Sequence, residues 1–165
     1  MILSFKTLLL AAGMGTRLRP LTNNIPKCLV KIGEKPILEI WLENLSKAGC
    51  EEVIINTHYL SEMVDEYLKD REFGNMKIIT SYEPKLLGTA GTLINNAHYL
   101  LGENCMFIHA DNFTDVNLKE FLIPQDTQVI FQYQIQNLLL MRIRLDCGIL
   151  MVIYLIIVVM KISIP

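Results

Sequence analysis

No two cysteines of this chain stand close enough to make a C-x-x-C pair. Cys28, Cys50, Cys105 and Cys147 are scattered singly through 165 residues. That spacing excludes a zinc knuckle and a disulfide frame, and fits reduced thiols of the cytoplasm. Excess positive charge is lacking as well. With 15 basic and 17 acidic residues the formal net charge is -2 and the pI near 5.9, so no basic field exists to hold a nucleic acid. The N-terminus lacks the signal-peptide pattern. Residues 2–10 are apolar but broken by Ser4 and Lys6, and a glycine-rich turn stands where a cleavage site would. A cytoplasmic location is expected, and the length suffices for one domain with its own core.

Acids and turn residues nearly vanish from the last quarter. Beyond residue 126, Asp146 is the sole acid, Gly148 the sole glycine and Pro165 the sole proline. Residues 149–160 form an unbroken apolar run, shorter than the roughly 20 residues that span a bilayer as a helix. Extending the run to Ile164 places Lys161 inside it. The chain therefore divides into an organised part, residues 1–126, and an atypical apolar tail, residues 127–165. A membrane anchor in residues 147–164 is the rival reading of the tail, and it is not the expected one.

What the first part contains is alternation. Residues 6–11 are a short buried strand that empties into a glycine-rich loop. Pro36 opens a helix in which Ile37, Ile40, Trp41 and Leu45 recur at helical spacing, and Gly49 stops it. Residues 52–57 are β-branched and read as a strand. Ser61 is placed to N-cap the next helix, with Met63, Val64, Tyr67 and Leu68 facing inward. Residues 76–81 are a strand, 89–101 a helix, 104–109 a fourth strand, and 117–122 a short helix. Strands alternating with helices of this length imply right-handed crossovers and a mostly parallel, doubly wound α/β sheet of Rossmann-like type. Ligands of such sheets sit at the carboxyl ends of the strands, where the loops after Leu10 and after His109 both fall.

The loop after Leu10 reads Ala11, Ala12, Gly13, Met14, Gly15, Thr16, Arg17, Leu18, Arg19, Pro20. Glycines there permit backbone conformations that side chains forbid, and successive N–H groups can turn toward an anion. Arg17 and Arg19 add cations able to hold phosphate through paired hydrogen bonds. A P-loop is excluded because no G-K-[ST] follows. The dinucleotide fingerprint is excluded because Leu18 stands at its third glycine and Pro20 interrupts the helix that should begin.

The string from Leu10 to Thr22, followed by Pro26-Lys27-Cys28-Leu29-Val30 and Lys35-Pro36, resembles the signature of the sugar-1-phosphate nucleotidylyltransferases. Asn56-Thr57-His58-Tyr59, Leu87-Gly88-Thr89-Ala90-Gly91 and His109-Ala110-Asp111-Asn112 continue the resemblance, in the family's order, from about residue 5 to about residue 125. The spelling is nearest to the mannose-1-phosphate guanylyltransferases within that family. The glucose-1-phosphate thymidylyltransferases belong to the same family.

The resemblance implies in-line attack of a sugar-phosphate oxygen on the α-phosphorus of a nucleoside triphosphate, with pyrophosphate leaving. Residues 1–126 would be the nucleotide-binding domain. Leu10, Ala11, Ala12 and Gly13 would meet base and ribose, and Gly15, Thr16 and Arg17 would hold the triphosphate. Arg17 and Lys27 are the catalytic candidates: Arg17 draws charge off the departing pyrophosphate, and Lys27 sits between the α-phosphate and the incoming sugar phosphate. Asp111, at the end of an apolar strand, is the candidate ligand for Mg²⁺. Asn112 and Asp115 are weaker ones, and Asp115 can equally cap the helix at Asn117. Gly88 and Thr89 would open a helix beside the base or sugar. Glu83 lies in the stretch that reads the base, where a carboxylate can accept from guanine N1 and N2, so GTP is favoured. Thymidylyl or uridylyl transfer remains the alternative within the same fold.

The remaining candidates carry less. His58 ends a strand and either lines the cleft or serves structure, His98 reads as helix surface, and Trp41 as core. His109 adjoins Asp111, and strand alternation is expected to turn its side chain away. Family members continue well past residue 165 and take a second metal-binding aspartate from that later half, for which this chain shows no counterpart. Cys147-Gly148-Ile149 matches a short family element, but its surroundings do not. A shifted reading frame beginning near residues 127–136 would account for the lost acids and turns, leaving an inactive nucleotide-binding fragment as a further reading. A sheet missing part of its cover leaves apolar faces and edges open, which favours insolubility or association, a homo-oligomer being one form of the latter.

Overall fold

The computed structural model describes residues 4–101, 103–114, 116–121 and 158–161. Strand β1 (Phe5–Leu10) is followed by short 3₁₀ turns at Thr16–Leu18, Leu21–Asn23 and Lys27–Leu29. A two-stranded antiparallel pair, β2 (Lys31–Ile32) and β3 (Lys35–Pro36), then leads into helix α1 (Ile37–Ala48). Next come β4 (Cys50–Thr57), α2 (Ser61–Leu68), β5 (Lys77–Tyr82), α3 (Gly88–Asn95), α4 (Ala97–Leu100), β6 (Asn104–His109), α5 (Leu118–Phe121) and β7 (Val158–Lys161).

The main sheet runs in the order β5-β4-β1-β6-β7. The first four strands are mutually parallel, and β7 closes the far edge antiparallel to β6. Residues 158–161 of the tail are therefore a strand, and no helix among the described residues is long and apolar enough to cross a membrane. Asp115, Asp146, Cys147 and residues 127–136, where the shifted frame is proposed to begin, lie outside the described residues.

Alternation along the strands builds a core on each face. Phe5 and Leu9 of β1, Val53 and Ile55 of β4, and Met106 and Ile108 of β6 pack against α1, with Val64 of α2 and Leu118 of α5 in the same cluster. Leu8, Ile54, Cys105 and Phe107 face the other way, onto Leu100, with Leu93 and Tyr99 beside it. The sheet is thus covered on both sides, as a parallel sheet must be to bury its apolar strands. Trp41, read from the sequence as core, is 2% exposed. Full burial of one large side chain of this kind stabilises by about 1.5–3 kcal/mol. From β1 the chain steps outward to β4 and β5, then crosses back past β1 to β6. The strand order therefore reverses between β1 and β6, which opens a crevice at their carboxyl ends.

Three local expectations are corrected. Residues 89–101 are two helices, broken at Asn96, whose side-chain amide donates to the Thr92 carbonyl at 2.9 Å and competes with continued helix. Ser61 is the first residue of α2 rather than its cap. Leu60 holds the cap position at φ 52° with no side-chain bond. Met63 faces solvent, while Val64 is buried and Tyr67 and Leu68 are partly so. Gly49 does end α1, at φ 89°, with its N–H capping the last turn.

Burial governs the thiols. It pushes Cys28 up to about 12 and Cys50 and Cys105 up to about 11, which keeps all three protonated and unreactive at neutral pH. In native protein at pH 8, iodoacetamide is expected to leave these three unmodified while labelling them fully in denaturant. Peptide mass spectrometry checks this, and labelling of any of them at its unfolded rate would mean the core is open at that point.

Candidate functional site

The end of β1 is held from both sides. The Leu10 carbonyl accepts from the Ala110 N–H at 2.9 Å. The next two amides, of Ala11 and Ala12, both donate to Asn56 Oδ1 at the end of β4, at 2.6 and 3.3 Å. The chain then leaves the sheet at Gly13, where a side chain would meet nothing within 4 Å. Gly15 turns it at φ 62°, and the Thr22 hydroxyl donates to the Gly15 carbonyl at 2.7 Å. A Cβ on Gly15 would lie 2.9 Å from the Thr22 methyl and 3.3 Å from Lys27 Cβ. The loop therefore folds back onto the turn that carries Lys27.

Lys27 and Asp111 meet at the mouth of the crevice. The ammonium donates to Asp111 Oδ2, with the side chains 23% and 33% exposed. The turn carrying Asp111 is fixed by two further bonds. Trp41 Nε1 donates to the Asn112 carbonyl at 2.7 Å, and the Asn112 N–H donates to the His109 carbonyl at 3.2 Å. So the core helix α1 reaches under the sheet's end and anchors the acid's backbone.

Between these walls lies a cavity of about 190 Å³. Leu10, Ala11, Ala12, Gly13, Lys27, Glu83, Gly88, Thr89 and Asp111 all line it, so most of the sequence candidates converge on one place. Gly15, Thr16 and Arg17 are not part of the lining. Thr16 and Arg17 are exposed in the turn Thr16–Leu18, which follows the Gly13 loop. Asn56, Thr92, Cys28 and His109 line the cavity without having been singled out as binding residues. The signals for two of them were positional: Asn56 is the penultimate residue of a strand, and Thr92 lies one helical turn beyond Gly88. His109 shares the lining with Asp111, against the expectation that it turns away, as residues two apart at a strand's end emerge toward one face.

Glu83 is the main departure from expectation. It is 1% exposed, and both carboxylate oxygens are engaged. Oε1 accepts from Asn56 Nδ2 at 3.0 Å and from the Thr92 hydroxyl at 2.5 Å, and Oε2 accepts from the Leu87 N–H at 3.2 Å. A carboxylate so occupied is not presented to a guanine edge. His58 takes the structural alternative, with Nδ1 donating to the Glu83 carbonyl at 2.6 Å.

The electrostatics suit a polyanion carried with a cation. A lysine and the open backbone around Gly13 lie beside an acid that is partly exposed. No cluster of three or more His, Cys, Asp or Glu able to hold a metal exists among the described residues. A hard divalent ion that takes most of its oxygens from phosphate and water needs only one or two carboxylates, and Asp111 fits that donor set.

Replacing Gly15 with alanine is expected to destabilise the chain by at least about 1–2 kcal/mol, the cost of a left-handed backbone for a residue with a Cβ. The close approach to Thr22 and Lys27 adds to this. Thermal unfolding measures it, and an unchanged midpoint would mean that this loop adopts another shape.

Comparison with known proteins gives the same picture. The nucleotidyl transferase family matches residues 6–128. A D-glycero-alpha-D-manno-heptose 1-phosphate guanylyltransferase of Campylobacter jejuni is 36% identical over 120 residues, covering 73% of this chain and 53% of that one. The mannose-1-phosphate guanylyltransferase catalytic subunit beta of Xenopus tropicalis is 46% identical over 100 residues, covering 60% of this chain and 28% of that one. The crystal structure of HddC from Yersinia pseudotuberculosis complexed with GMP-PN superposes with a TM-score of 0.62 at 28% identity, covering 70% of this chain and 52% of that one. The chain thus spans about half or less of the length of these relatives. It belongs to the nucleotidyl transferase family.

Proposed function

We propose that this chain carries the nucleotide-binding part of an enzyme that moves a nucleotidyl group from a nucleoside triphosphate to a sugar 1-phosphate, releasing pyrophosphate. The observation that carries this reading is the meeting of Lys27 and Asp111 beside the open Gly13 loop, at the sheet's switch point. In-line transfer at phosphorus needs alignment and charge neutralisation more than a covalent nucleophile. Lys27 provides a mobile cation at the cavity mouth. When a triphosphate enters, its ammonium exchanges the Asp111 carboxylate for phosphate oxygens and stabilises charge that grows as the sugar-phosphate oxygen attacks the α-phosphorus. Arg17, exposed in the turn after the Gly13 loop, is suited to the departing pyrophosphate. Asp111, released from Lys27, would hold Mg²⁺, which when bound neutralises phosphate charge.

GTP is the favoured triphosphate and mannose 1-phosphate, or a similar hexose or heptose phosphate, the favoured acceptor. Support comes from the Leu87–Gly91 spelling and from the guanylyltransferase names of the similar proteins. Glu83 no longer contributes to that preference, since its carboxylate is buried and engaged.

GTP with Mg²⁺ is expected to raise the unfolding temperature more than UTP or dTTP. A ligand at 100 times its Kd stabilises by about 2.7 kcal/mol. Larger protection by UTP or dTTP would transfer the reading to a uridylyl or thymidylyl enzyme, and no protection by any triphosphate would refute it. In a pyrophosphate-release assay, Lys27→Ala and Arg17→Ala are each expected to lower turnover by about 10²–10³-fold, the usual loss of one charge-stabilising donor. Near-normal turnover in either variant would remove that residue from the site.

A further inference from the structure

Three buried polar side chains under the cavity form a closed ring. Asn56 Nδ2 donates to Glu83 Oε1 at 3.0 Å and to the Thr92 hydroxyl at 3.2 Å, and that hydroxyl donates to Glu83 Oε1 at 2.5 Å. All three residues are at most 3% exposed. The ring has two outward attachments. On one side Asn56 Oδ1 takes the amides of Ala11 and Ala12, and on the other Glu83 Oε2 takes the amide of Leu87, just before α3.

The inventory of Asn56 is complete: both amide hydrogens and both oxygen lone pairs are used. Its orientation is forced by Glu83. A carboxylate only accepts, so the Asn56 NH₂ must face it, which points Oδ1 at the turn after β1. Rotating the amide would set NH₂ against two N–H donors and oxygen against a carboxylate. One acid thereby dictates how the backbone is held on one wall of the cavity while gripping the other wall directly.

Resting on the functional reading above, we infer that Glu83 is a positioning residue. Through Asn56 and Thr92 it is a buried strut that ties the Ala11–Ala12 turn to the start of α3. It sets the spacing of the two walls for any nucleobase and does not read one base.

The isosteric change Glu83→Gln tests this because no orientation of the new amide suits both sides. With its oxygen toward Asn56 and Thr92, its NH₂ meets the Leu87 N–H. Flipped, it meets the Asn56 NH₂. Thr92→Val removes the hydroxyl at similar volume, and Thr92→Ser retains it.

Amide hydrogen exchange by NMR is the ligand-free measurement. In Glu83→Gln and Thr92→Val, exchange at Ala11, Ala12 and Leu87 is expected to accelerate together by about tenfold, the scale of one lost buried partner. The amides of Leu8 and Leu9 should keep their wild-type rates, and Thr92→Ser should keep wild-type exchange throughout. Acceleration at Leu87 alone overturns the strut. Should Glu83→Gln fail to fold, the contrast between Thr92→Val and Thr92→Ser decides by the same three amides.

Titration of wild type and Glu83→Gln with GTP, UTP, CTP and ATP separates positioning from base reading. A strut predicts weakening by the same factor for every triphosphate that binds, whereas loss confined to GTP makes Glu83 a direct reader and overturns the inference. If wild type binds none of the four, the functional reading fails, and the exchange result still decides whether the strut exists.

Discussion

The register of β1 between its two neighbours governs everything at the cleft. Leu10, the last residue of β1, lies opposite Asn56 on one side and His109 on the other. The three strands therefore end level, so the residues that follow them emerge beside one another. Ala11 and Ala12 come out against the Asn56 side chain, and Asp111 comes out on the far side, within reach of Lys27. A slip of one residue would turn Leu8 and Leu9 to the wrong faces of the sheet and carry the loop away from Asn56. The two apolar cores that hold the register are thus also what holds the chemistry.

Charge at the cleft is balanced within the protein. Lys27 and Asp111 compensate each other across 84 residues of sequence, and both remain partly exposed. A pair in that position costs little to open, because solvent already reaches both partners. Deep in the wall the polar groups are arranged oppositely. Glu83, Asn56 and Thr92 are closed to solvent and satisfied by one another. Where a buried network is complete it rigidifies its surroundings, and where an ion pair is open it can be exchanged. The cleft combines a stiff floor with a replaceable lip.

Most of the architecture was legible in the chain, because it rests on local signals. A β-branched run marked β4, an apolar run marked β6, the Pro36-to-Gly49 interval marked α1, and the spelling from Leu10 to Lys27 marked the loop. The errors fell where tertiary bonds override local pattern. Asn96 breaks a helix by bonding the carbonyl of Thr92, and Leu60 takes a strained cap position that no propensity favours. Glu83 was placed correctly in the cavity wall but given a solvent-facing task. Its partners, Asn56 and Thr92, come from β4 and α3, and that convergence is a property of the sheet's topology. The edge strand β7 was hidden for a related reason: an apolar run without turns carries no period that separates a strand from a buried helix.

The hydrogen bond from Trp41 to the Asn112 carbonyl gives the molecule an optical property. The sequence contains one tryptophan, so intrinsic indole emission comes from a single site. That indole is buried in the core against α1's neighbours, yet its only polar atom is fastened to the backbone one residue beyond Asp111. Displacement of the acid's turn must lengthen or rotate that bond and change the dipole surrounding the ring. The emission colour of native protein therefore reports, without any added dye, on the carboxylate at the cleft.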